Sequence, residues 1–284
     1  MALERPIADR IAGAAASLTA SERRVAEALL DDPKVVAFGT VAQLAQRAGC
    51  APPTVLRFAA KVGFGGFVDL QAAVQEEIAD QLRPATQRIR ERRPHDVLAR
   101  AFSADVENVR NTMEEIDPAE FHATVELLAD RRHRVFVLAS DISGPAGAVL
   151  ATQLDLLRDG VFTIGGSPVQ VSRDLVRVDP DDVVVAIDVR RYERWLLEAL
   201  VRAHDRGARV VAVTDTRLSP VAARAKHTFV IHARGAGPFD SAVGAVALVH
   251  ALGAAVAARL RRSATGRLDA VEAAWNAGAD LTDA

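Results

Sequence analysis

Cysteine is almost absent from this chain of 284 residues, which contains only Cys50. An intramolecular disulfide needs two cysteines, and a disulfide framework is therefore excluded as a source of stability. Chains without disulfides are typical of a reducing compartment, and we expect a cytoplasmic protein. A redox switch at Cys50 is disfavoured, because the chain has no second cysteine to resolve an oxidised one.

Long apolar runs and metal-ligand spacings are also missing. No uncharged apolar stretch reaches the roughly 18 residues of a transmembrane helix, and no secretory signal begins the chain, so we expect no membrane partner. The seven histidines show no H-x-H or H-x-x-x-H spacing and no cysteine nearby, which predicts no metal site. We expect no cofactor and no catalytic residue. The histidines are His95, His122, His133, His204, His227, His232 and His250.

No sign of charge dominates, since the formal net charge is −2. The bulk charge therefore gives no signal of nucleic-acid binding, but contact with a DNA groove depends on local charge. Between Gln43 and Val68 the chain carries Arg47, Arg57 and Lys61 and no acidic residue. This window predicts a small basic face of modest affinity that needs dimerisation.

The same window has the pattern of two short helices joined by a tight turn. Apolar residues recur at three- and four-residue spacing from Val41 to Ala48, which buries one face of the first helix. Gly49 follows where a left-handed residue commonly ends a helix. Pro52 and Pro53 suit the first turn of the second helix, where a missing N–H costs nothing.

The second helix is expected to bury Val55, Phe58 and Ala59. Its outer side is expected to carry Thr54, Arg57 and Lys61. A helix, a glycine turn and a helix that presents Thr and Arg form the helix-turn-helix layout, whose second helix enters the DNA major groove. The predicted DNA-binding residues are Arg47, Pro53, Thr54, Arg57 and Lys61.

The whole segment from Ile7 to about Gln81 reads as helical. Thr19 and Glu22 have the spacing of a capping box, and residues 31–33 end that helix. We assign a first domain to 1–82 and a linker to 83–95. The linker arginines favour a solvated helical or hinge surface, with auxiliary phosphate contact as the alternative. They are Arg83, Arg88, Arg90, Arg92 and Arg93.

Five short apolar runs alternate with helical patterns after the linker. Strands are predicted over 134–139, 161–164, 183–187, 209–214 and 228–231. Helices are predicted over 95–113, 118–131, 144–158, 168–177, 192–206, 219–225 and 240–261, before a polar tail. The predicted fold class is an all-α helix-turn-helix domain followed by a doubly wound α/β domain, residues 96–284, with a five-stranded parallel sheet.

A set of residue pairs in the first domain carries a family resemblance. The pairs are Leu18-Thr19, Glu22-Arg23, Val25-Ala26, Asp32-Pro33, Leu44-Ala45, Ala48-Gly49, Thr54-Val55, Arg57-Phe58, Gly63-Phe64 and Gly66-Phe67. In these pairs and in its layout the chain resembles the RpiR family of transcriptional regulators, which join a helix-turn-helix domain to a sugar isomerase (SIS) domain. The family often has a serine cap at the position of Ala51, and its loss costs about 1 kcal/mol.

The resemblance implies a small-molecule site, typically for a phosphosugar, in the loops of the SIS domain. SIS domains tend to have Gly-x-Gly-x-Ser after the first strand and Ser-x-Ser-Gly-x-Thr after the third. This chain has ASDIS at 139–143 and DVRRYE at 188–193, whereas Thr214-Asp215 followed by Ser219-Pro220 fits the family. The expected effector-binding residues are Ser140, Ser143, Asp188, Arg190, Arg191, Thr214 and Ser219.

Two interpretations of these altered loops stay open. Arg190 or Arg191 holds a phosphate or carboxylate bidentately, while Asp188 opposes that charge or accepts hydrogen bonds from sugar hydroxyls or an amine. In the other interpretation Asp188 pairs with an arginine and the site is empty. Tyr192 and Trp195 are expected to serve in packing rather than in ligand stacking.

The leading hypothesis is a DNA-binding transcriptional regulator. A small anionic effector, a phosphosugar or a sugar acid, would change the geometry of a homodimer or tetramer on a palindromic operator of double-stranded DNA. One alternative is a sugar-phosphate isomerase or related SIS enzyme, although the phosphate-cradling hydroxyls are missing. The other is a regulator whose SIS domain is a ligand-free dimerisation module.

Overall fold

The computed structural model describes residues 7–82, 84–91 and 96–278. The predicted linker residues Arg83, Arg92 and Arg93, and His95, lie outside these ranges. The first part of the chain is helical, as expected. Its helices are α1 (Ile7–Ala14), α2 (Ala20–Asp31), α3 (Pro33–Phe38), α4 (Val41–Arg47), α5 (Pro52–Lys61) and α6 (Phe67–Leu82).

Two capping boxes set the starts of α2 and α4. Thr19 accepts a hydrogen bond from the Glu22 N–H and its own N–H donates to the Glu22 carboxylate, which confirms the predicted box. Thr40 and Gln43 form the same arrangement at α4. Helix α3 is absent from the sequence prediction. It begins directly after α2 because two helix-start signals coincide there. The Asp32 side chain caps the helix by accepting a hydrogen bond from the Lys34 N–H, and Pro33 occupies the first helical position.

The turn between α4 and α5 has the predicted geometry. Gly49 adopts a left-handed φ of 59°, the conformation that glycine takes without steric cost. The N-cap of α5 is Ala51, whose side chain makes no capping bond, and two prolines occupy the first turn. The preset φ of proline therefore replaces the missing cap in starting the helix.

The second part of the chain is a parallel sheet, as predicted. Its strands are β1 (Val135–Ala139), β2 (Val161–Ile164), β3 (Val183–Ile187), β4 (Arg209–Thr214) and β5 (His227–Val230). The strand order is β2-β1-β3-β4-β5 with every pair parallel. This order places a topological switch point between β1 and β3, where open α/β sheets bind ligands.

Helices cover both faces of the sheet. The helices of this second part are α7 (Ala85–Glu91), α8 (Val97–Glu114), α9 (Pro118–Ala129), α10 (Gly144–Leu157), α11 (Pro168–Leu175), α12 (Arg194–Asp205), α13 (Val243–Arg259) and α14 (Arg261–Gly278). One core joins the sheet to α9, α10 and α13, and the other joins it to α11 and α12. Both faces are thus buried, which explains why the strand sequences do not alternate.

Two predictions for this part were wrong, one of a helix and one of a tail. Residues 219–225 form only a 3-10 turn over Ala222–Arg224, and the expected polar tail forms α14. Ala264 of α14 is buried, and Arg267 donates to the Asp155 carbonyl and pairs with Asp159. Side-chain anchoring therefore orders a segment whose sequence has no strong apolar stripe.

The loop after β4 joins the two parts of the structure. Leu218 packs into the core of the first helices and is 7% exposed. The Thr216 hydroxyl donates to the Glu77 carboxylate of α6 at 2.7 Å. Within the predicted linker, α7 is ordered and Arg88 pairs with Asp240 at 2.5 Å. The domain boundaries at 82 and 96 stay a prediction.

No single helix in the described ranges is long and apolar enough to cross a membrane. Helices α13 and α14 pass that test of length and composition only as a pair, and they bend by 104° where they meet.

Candidate functional site

Helix α5 presents two faces of different character. Val55, Phe58 and Ala59 are completely buried, as predicted. Pro53, Leu56, Arg57 and Ala60 are exposed on the other side. Because these exposed positions recur at three- and four-residue spacing, they form one continuous outward surface.

Thr54 does not belong to that surface, and its predicted outward position was wrong. Its side chain is 6% exposed because it lies beside Val55 at the edge of the buried face. The Thr54 hydroxyl accepts a hydrogen bond from Arg57 Nη2 at 3.1 Å. Thr54 therefore orients the guanidinium of Arg57 instead of standing next to it on the surface.

Arg57 is the cation that the structure leaves available on this helix. Within the described residues no carboxylate lies within ion-pair distance of its guanidinium, and only one of its N–H groups is used by Thr54. The side chain is exposed on the outer face of α5. Its remaining donors can reach an acceptor outside the protein, such as a base edge or a phosphate.

Lys61 and Arg47 are engaged within the protein. Lys61 Nζ pairs with the Glu22 carboxylate at 2.7 Å and donates to the Ser17 carbonyl at 2.9 Å. Arg47 pairs with Asp31 at 3.0 Å and with Asp32 at 3.2 Å. All three acids lie outside the window of residues 43–68, and the local charge count therefore missed them. DNA contact by Lys61 or Arg47 stays a prediction.

Glu22 is an unusual acid because its side chain is only 2% exposed. The hydrogen bond from Lys61, followed by the bond from the Thr19 N–H, lowers the pKa of Glu22 from 4.5 to about 2. The carboxylate thus stays charged and ties the end of α5 to the start of α2. Lys61 consequently fixes where α5 lies in the bundle.

Arg24 supports the turn in a way that sequence reasoning missed. Its Nε donates to the Ala48 carbonyl at 3.0 Å, and its Nη2 donates to the Gly49 carbonyl at 3.2 Å. These carbonyls follow the last residue of α4, where backbone acceptors have no partner within the helix. Arg24 therefore holds the glycine turn against α2.

The predicted effector residues meet at the carboxyl ends of the strands. Ser140 follows β1, and its N–H donates to the Ile187 carbonyl of β3 at 3.1 Å, which brings the two loops together. The structure buries the side chains of Ser140, Ser143, Asp188, Thr214 and Ser219. We call this region, bounded by residues 140–143 and 188–193, the effector crevice, after the role that the family resemblance predicts for it.

Asp188 is held by the backbone of its own loop. Its Oδ1 accepts from the Val189 N–H and its Oδ2 accepts from the Glu193 N–H, each at 2.8 Å. Backbone N–H groups therefore hold Asp188, and the alternative in which it pairs with an arginine stays a hypothesis. Burial raises the pKa of this carboxyl, against the opposing effect of these hydrogen bonds.

The two arginines of the crevice differ in their surroundings. Arg190 adopts a left-handed φ of 58°, and its Nε lies 2.8 Å from Asp240, which also binds Arg88. Arg191 is exposed at the mouth of the crevice. Arg190 is thus turned towards an internal acid, and Arg191 is the better placed of the two for an anion.

The aromatic residues of this loop serve in packing, as expected. Tyr192 and Trp195 lie against the core on the α12 side of the sheet. The Tyr192 hydroxyl donates to Asp215 Oδ1 at 2.8 Å, and burial raises the pKa of Asp215. Trp195 Nε1 donates to Glu193. Sequence reasoning gave no role to Asp215 or Glu193, because their partners come from other loops.

Within the described ranges, no three His, Cys, Asp or Glu side chains are grouped so that they could hold a metal ion. His232, for example, contacts Glu115 at 2.9 Å at the surface.

Comparisons with known proteins agree with both halves of the structure. Residues 6–81 match the model of the helix-turn-helix domain of the rpiR family, and residues 127–255 match the SIS domain model. The structure is similar to the sugar isomerase domain of an RpiR transcription factor from Sphaerobacter thermophilus. That likeness has 31% identity and a TM-score of 0.56, and it covers 62% of this chain and 97% of the other.

Longer matches extend over both halves. The HTH-type transcriptional regulator HexR of Pseudomonas aeruginosa is 27% identical over 199 residues, 69% of each chain. YbbH of Bacillus subtilis, an HTH-type transcriptional regulator, is 24% identical over 90% of this chain and 92% of its own. The Vibrio vulnificus NanR protein complexed with ManNAc-6P shares the fold, with 19% identity, a TM-score of 0.54, and coverage of 95% and 97%.

The Glu22–Lys61 pair yields a stability prediction. Lys61→Ala leaves a buried carboxylate without its cation and is expected to lower the free energy of unfolding at pH 7 by about 1–3 kcal/mol. Because the folded pKa of Glu22 is depressed to about 2, its stabilising effect is complete above pH 4.5 and disappears as the pH falls towards 2. The variant should therefore lose less stability over this acid range than the parent chain.

Urea unfolding at pH 7 and at pH 3 measures both effects. Lys34→Ala, which removes an exposed lysine from the same domain, is the matched control and should leave stability unchanged. A Lys61→Ala variant that is as stable as the parent but binds DNA less well would contradict the structural role.

Proposed function

The chain belongs to the RpiR family of transcriptional regulators, and from that membership we propose that it binds operator DNA by inserting α5 into the major groove. The outward face of α5 is the observation that carries this proposal. It is long enough to lie along base edges, and it presents Arg57 without an internal acid.

The residues of the helix-turn-helix are proposed to have different roles in DNA recognition. Arg57 is proposed to donate to the acceptors of a guanine, while Pro53, exposed at the first turn, allows close approach of the helix start. Thr54 orients Arg57 from its buried position. Arg47 and Lys61 would approach phosphates while keeping their internal acids, which reduces their share of the affinity.

A small sugar-type effector with an anionic group is proposed to bind in the effector crevice. The crevice lies at the switch point of the sheet, and Arg191 is exposed at its mouth. The buried Ser143, Thr214 and Ser219 are proposed to offer hydroxyl groups to the sugar. The complex of the NanR relative with ManNAc-6P supports a phosphosugar as one candidate class, with sugar acids as the other.

The loop after β4 is the proposed connection between effector and DNA. Asp215 holds Tyr192 of the crevice, and the next residue, Thr216, holds Glu77 of the helical part. Leu218 then packs into the core beneath α5 and α6. A ligand that displaces the crevice loops would therefore change the position of the helix-turn-helix, because three consecutive contacts join the two sites.

The chain is proposed to act as a homodimer that pairs through α8. This helix is polar on its buried side, where Asn108 and Thr112 bind the segment after β5. Its outer side is apolar, with Leu98 85% and Phe102 70% exposed, and Val106 and Met113 continue the stripe. An exposed apolar face of this kind marks an interaction site, and a two-fold axis there would place two copies of α5 on a palindromic operator.

Substitution of Arg57 tests the DNA proposal. Arg57→Ala is expected to weaken binding to the chain's own upstream DNA by about 1–3 kcal/mol and to relax discrimination at one base pair, if the contact to a guanine is bidentate. Fluorescence anisotropy at several salt concentrations measures the affinity. Arg262→Ala, an exposed arginine at the start of α14, is the control and should bind as the parent does. Equal losses on specific and random duplexes would confine Arg57 to a phosphate.

A ligand screen distinguishes the three candidate roles of the second domain. Thermal unfolding is measured with sugar phosphates, including N-acetylmannosamine 6-phosphate, and with sugar acids, alongside an assay for isomerised product. Stabilisation without turnover is expected, about 2.7 kcal/mol at a hundredfold excess over Kd, and Arg191→Ala should reduce it for anionic sugars. Turnover would support the enzyme, and the absence of any shift would support a ligand-free module.

The α8 stripe predicts the effect of a buried charge on assembly. Phe102→Glu is expected to convert the dimer to a monomer, because the carboxylate would be desolvated in the interface. Val176→Glu places the same charge on a side chain that is 65% exposed at the end of α11 and should leave the dimer intact. Sedimentation velocity reports the mass, and a Phe102→Glu dimer as tight as the parent would refute this interface.

A further inference from the structure

Acidic side chains of the chain itself fill the anion-binding positions of the effector crevice. The Asp141 N–H donates to Glu193 Oε1 at 2.9 Å. The Glu193 N–H at the start of α12 donates to Asp188 Oδ2 at 2.8 Å. These N–H groups lie in the loop after β1 and at a helix N-terminus, which are the positions that favour an incoming anion.

Both oxygens of the Glu193 carboxylate are in use. Oε1 accepts from Asp141, and Oε2 accepts from Trp195 Nε1. Glu193 thereby joins the loop after β1 to the first turn of α12, across the mouth of the crevice. The carboxylate has the charge and the planar acceptor geometry of a ligand acid, and it occupies the place where such a ligand would bind the loop.

The surroundings of Glu193 offer little to a second anion. The Asp188 carboxylate is close enough that its charge and that of Glu193 repel each other. Arg190, on the same loop, is turned to Asp240. The Ser140 hydroxyl oxygen is buried and makes no hydrogen bond of good geometry. It lies near Asp188 and lowers the pKa of that carboxyl, against the larger effect of burial. It is thus a buried group that a ligand at this position would satisfy.

We propose that Glu193 is an internal competitor for the anionic group of the effector and thereby sets ligand specificity. This inference rests on the effector site proposed above. A bare anion gains the N–H groups that Glu193 already satisfies and the Ser140 hydroxyl, and it meets the charge of Asp188. A ligand that also offers sugar hydroxyls adds contacts that Glu193 does not replace, and displacement of Glu193 then releases the loop after β1 from α12.

Inorganic phosphate is the probe, because it contains the anionic group without the sugar. Calorimetric titration of the full chain at constant ionic strength, with chloride as reference, compares the parent with two variants. Glu193→Ala removes both occupant and charge and is expected to bind phosphate at least tenfold more tightly than the parent. Glu193→Gln keeps the shape, removes the charge and replaces one of the two acceptor oxygens with an NH2 group, and it should show a smaller gain.

A control and a second readout complete the test. Glu198→Ala removes an exposed acid one turn further along α12 and should bind phosphate as the parent does. Amide hydrogen exchange at Asp141 should be faster in Glu193→Ala than in the parent and should slow again when phosphate is added. Glu193→Gln carries the test if Glu193→Ala loses stability, since it preserves packing.

Phosphate affinity that is unchanged in both Glu193 variants, or exchange at Asp141 that does not respond, would overturn the proposal. Neither measurement contains DNA or a sugar. A failure of operator binding, or of every sugar in the ligand screen, would therefore count against the proposed function and leave this result standing.

Discussion

Burial of Val55 and Phe58 against α2 and α4 determines which side of α5 faces outward. Successive residues of a helix are separated by about 100°, and a helix that buries positions 55, 58 and 59 must expose positions 53, 56, 57 and 60. Truncation of a buried Phe costs about 3–5 kcal/mol, which is much more than any rotation of the helix would recover at its surface. The position of Arg57 therefore depends on packing on the opposite side of the helix.

Charged side chains hold α5 in the orientation that this packing sets. Glu22 and Lys61 hold the end of α5, and Arg24 holds the turn before it. Charged side chains also hold the backbone at the effector crevice, where the carboxylates of Asp188 and Glu193 accept hydrogen bonds from the N–H groups of two loops. At both sites the protein's own charges hold fixed the elements that would contact a ligand, and a regulator needs such elements in a defined state before its ligand arrives.

Most of the fold could be predicted because it follows from local patterns. The runs of apolar residues place β2, β3 and β4 at their observed bounds, and the Gly49 turn and the Thr19–Glu22 box have local chemical signals. Helices α3 and α14 were missed for different reasons. One is too short to show a period, and the other is held by long-range anchors such as Arg267.

The sites were less predictable than the fold because their decisive partners are distant in sequence. Thr54 lies at the edge between the buried and the exposed face of α5, next to the exposed Pro53. Its spacing in the sequence does not determine which face it joins, and only the packing of the folded domain does. Lys61 meets Glu22 across 39 residues, and Asp141 meets Glu193 across 52. No spacing rule connects such pairs. The family resemblance predicts an effector site in these loops, and that site stays a prediction. It gave no indication of the bond between the Asp141 N–H and Glu193.

Photocrosslinking from α5 to DNA tests the central claim most directly. A photoreactive amino acid at Ala60, on the outward face of α5, should crosslink to bases of the chain's own upstream DNA, and the same group at the exposed Ala270 of α14 should not. Crosslinks that appear with Ala270 but not with Ala60, or no crosslink from either at low ionic strength, would contradict the assignment of α5 as the helix that reads DNA.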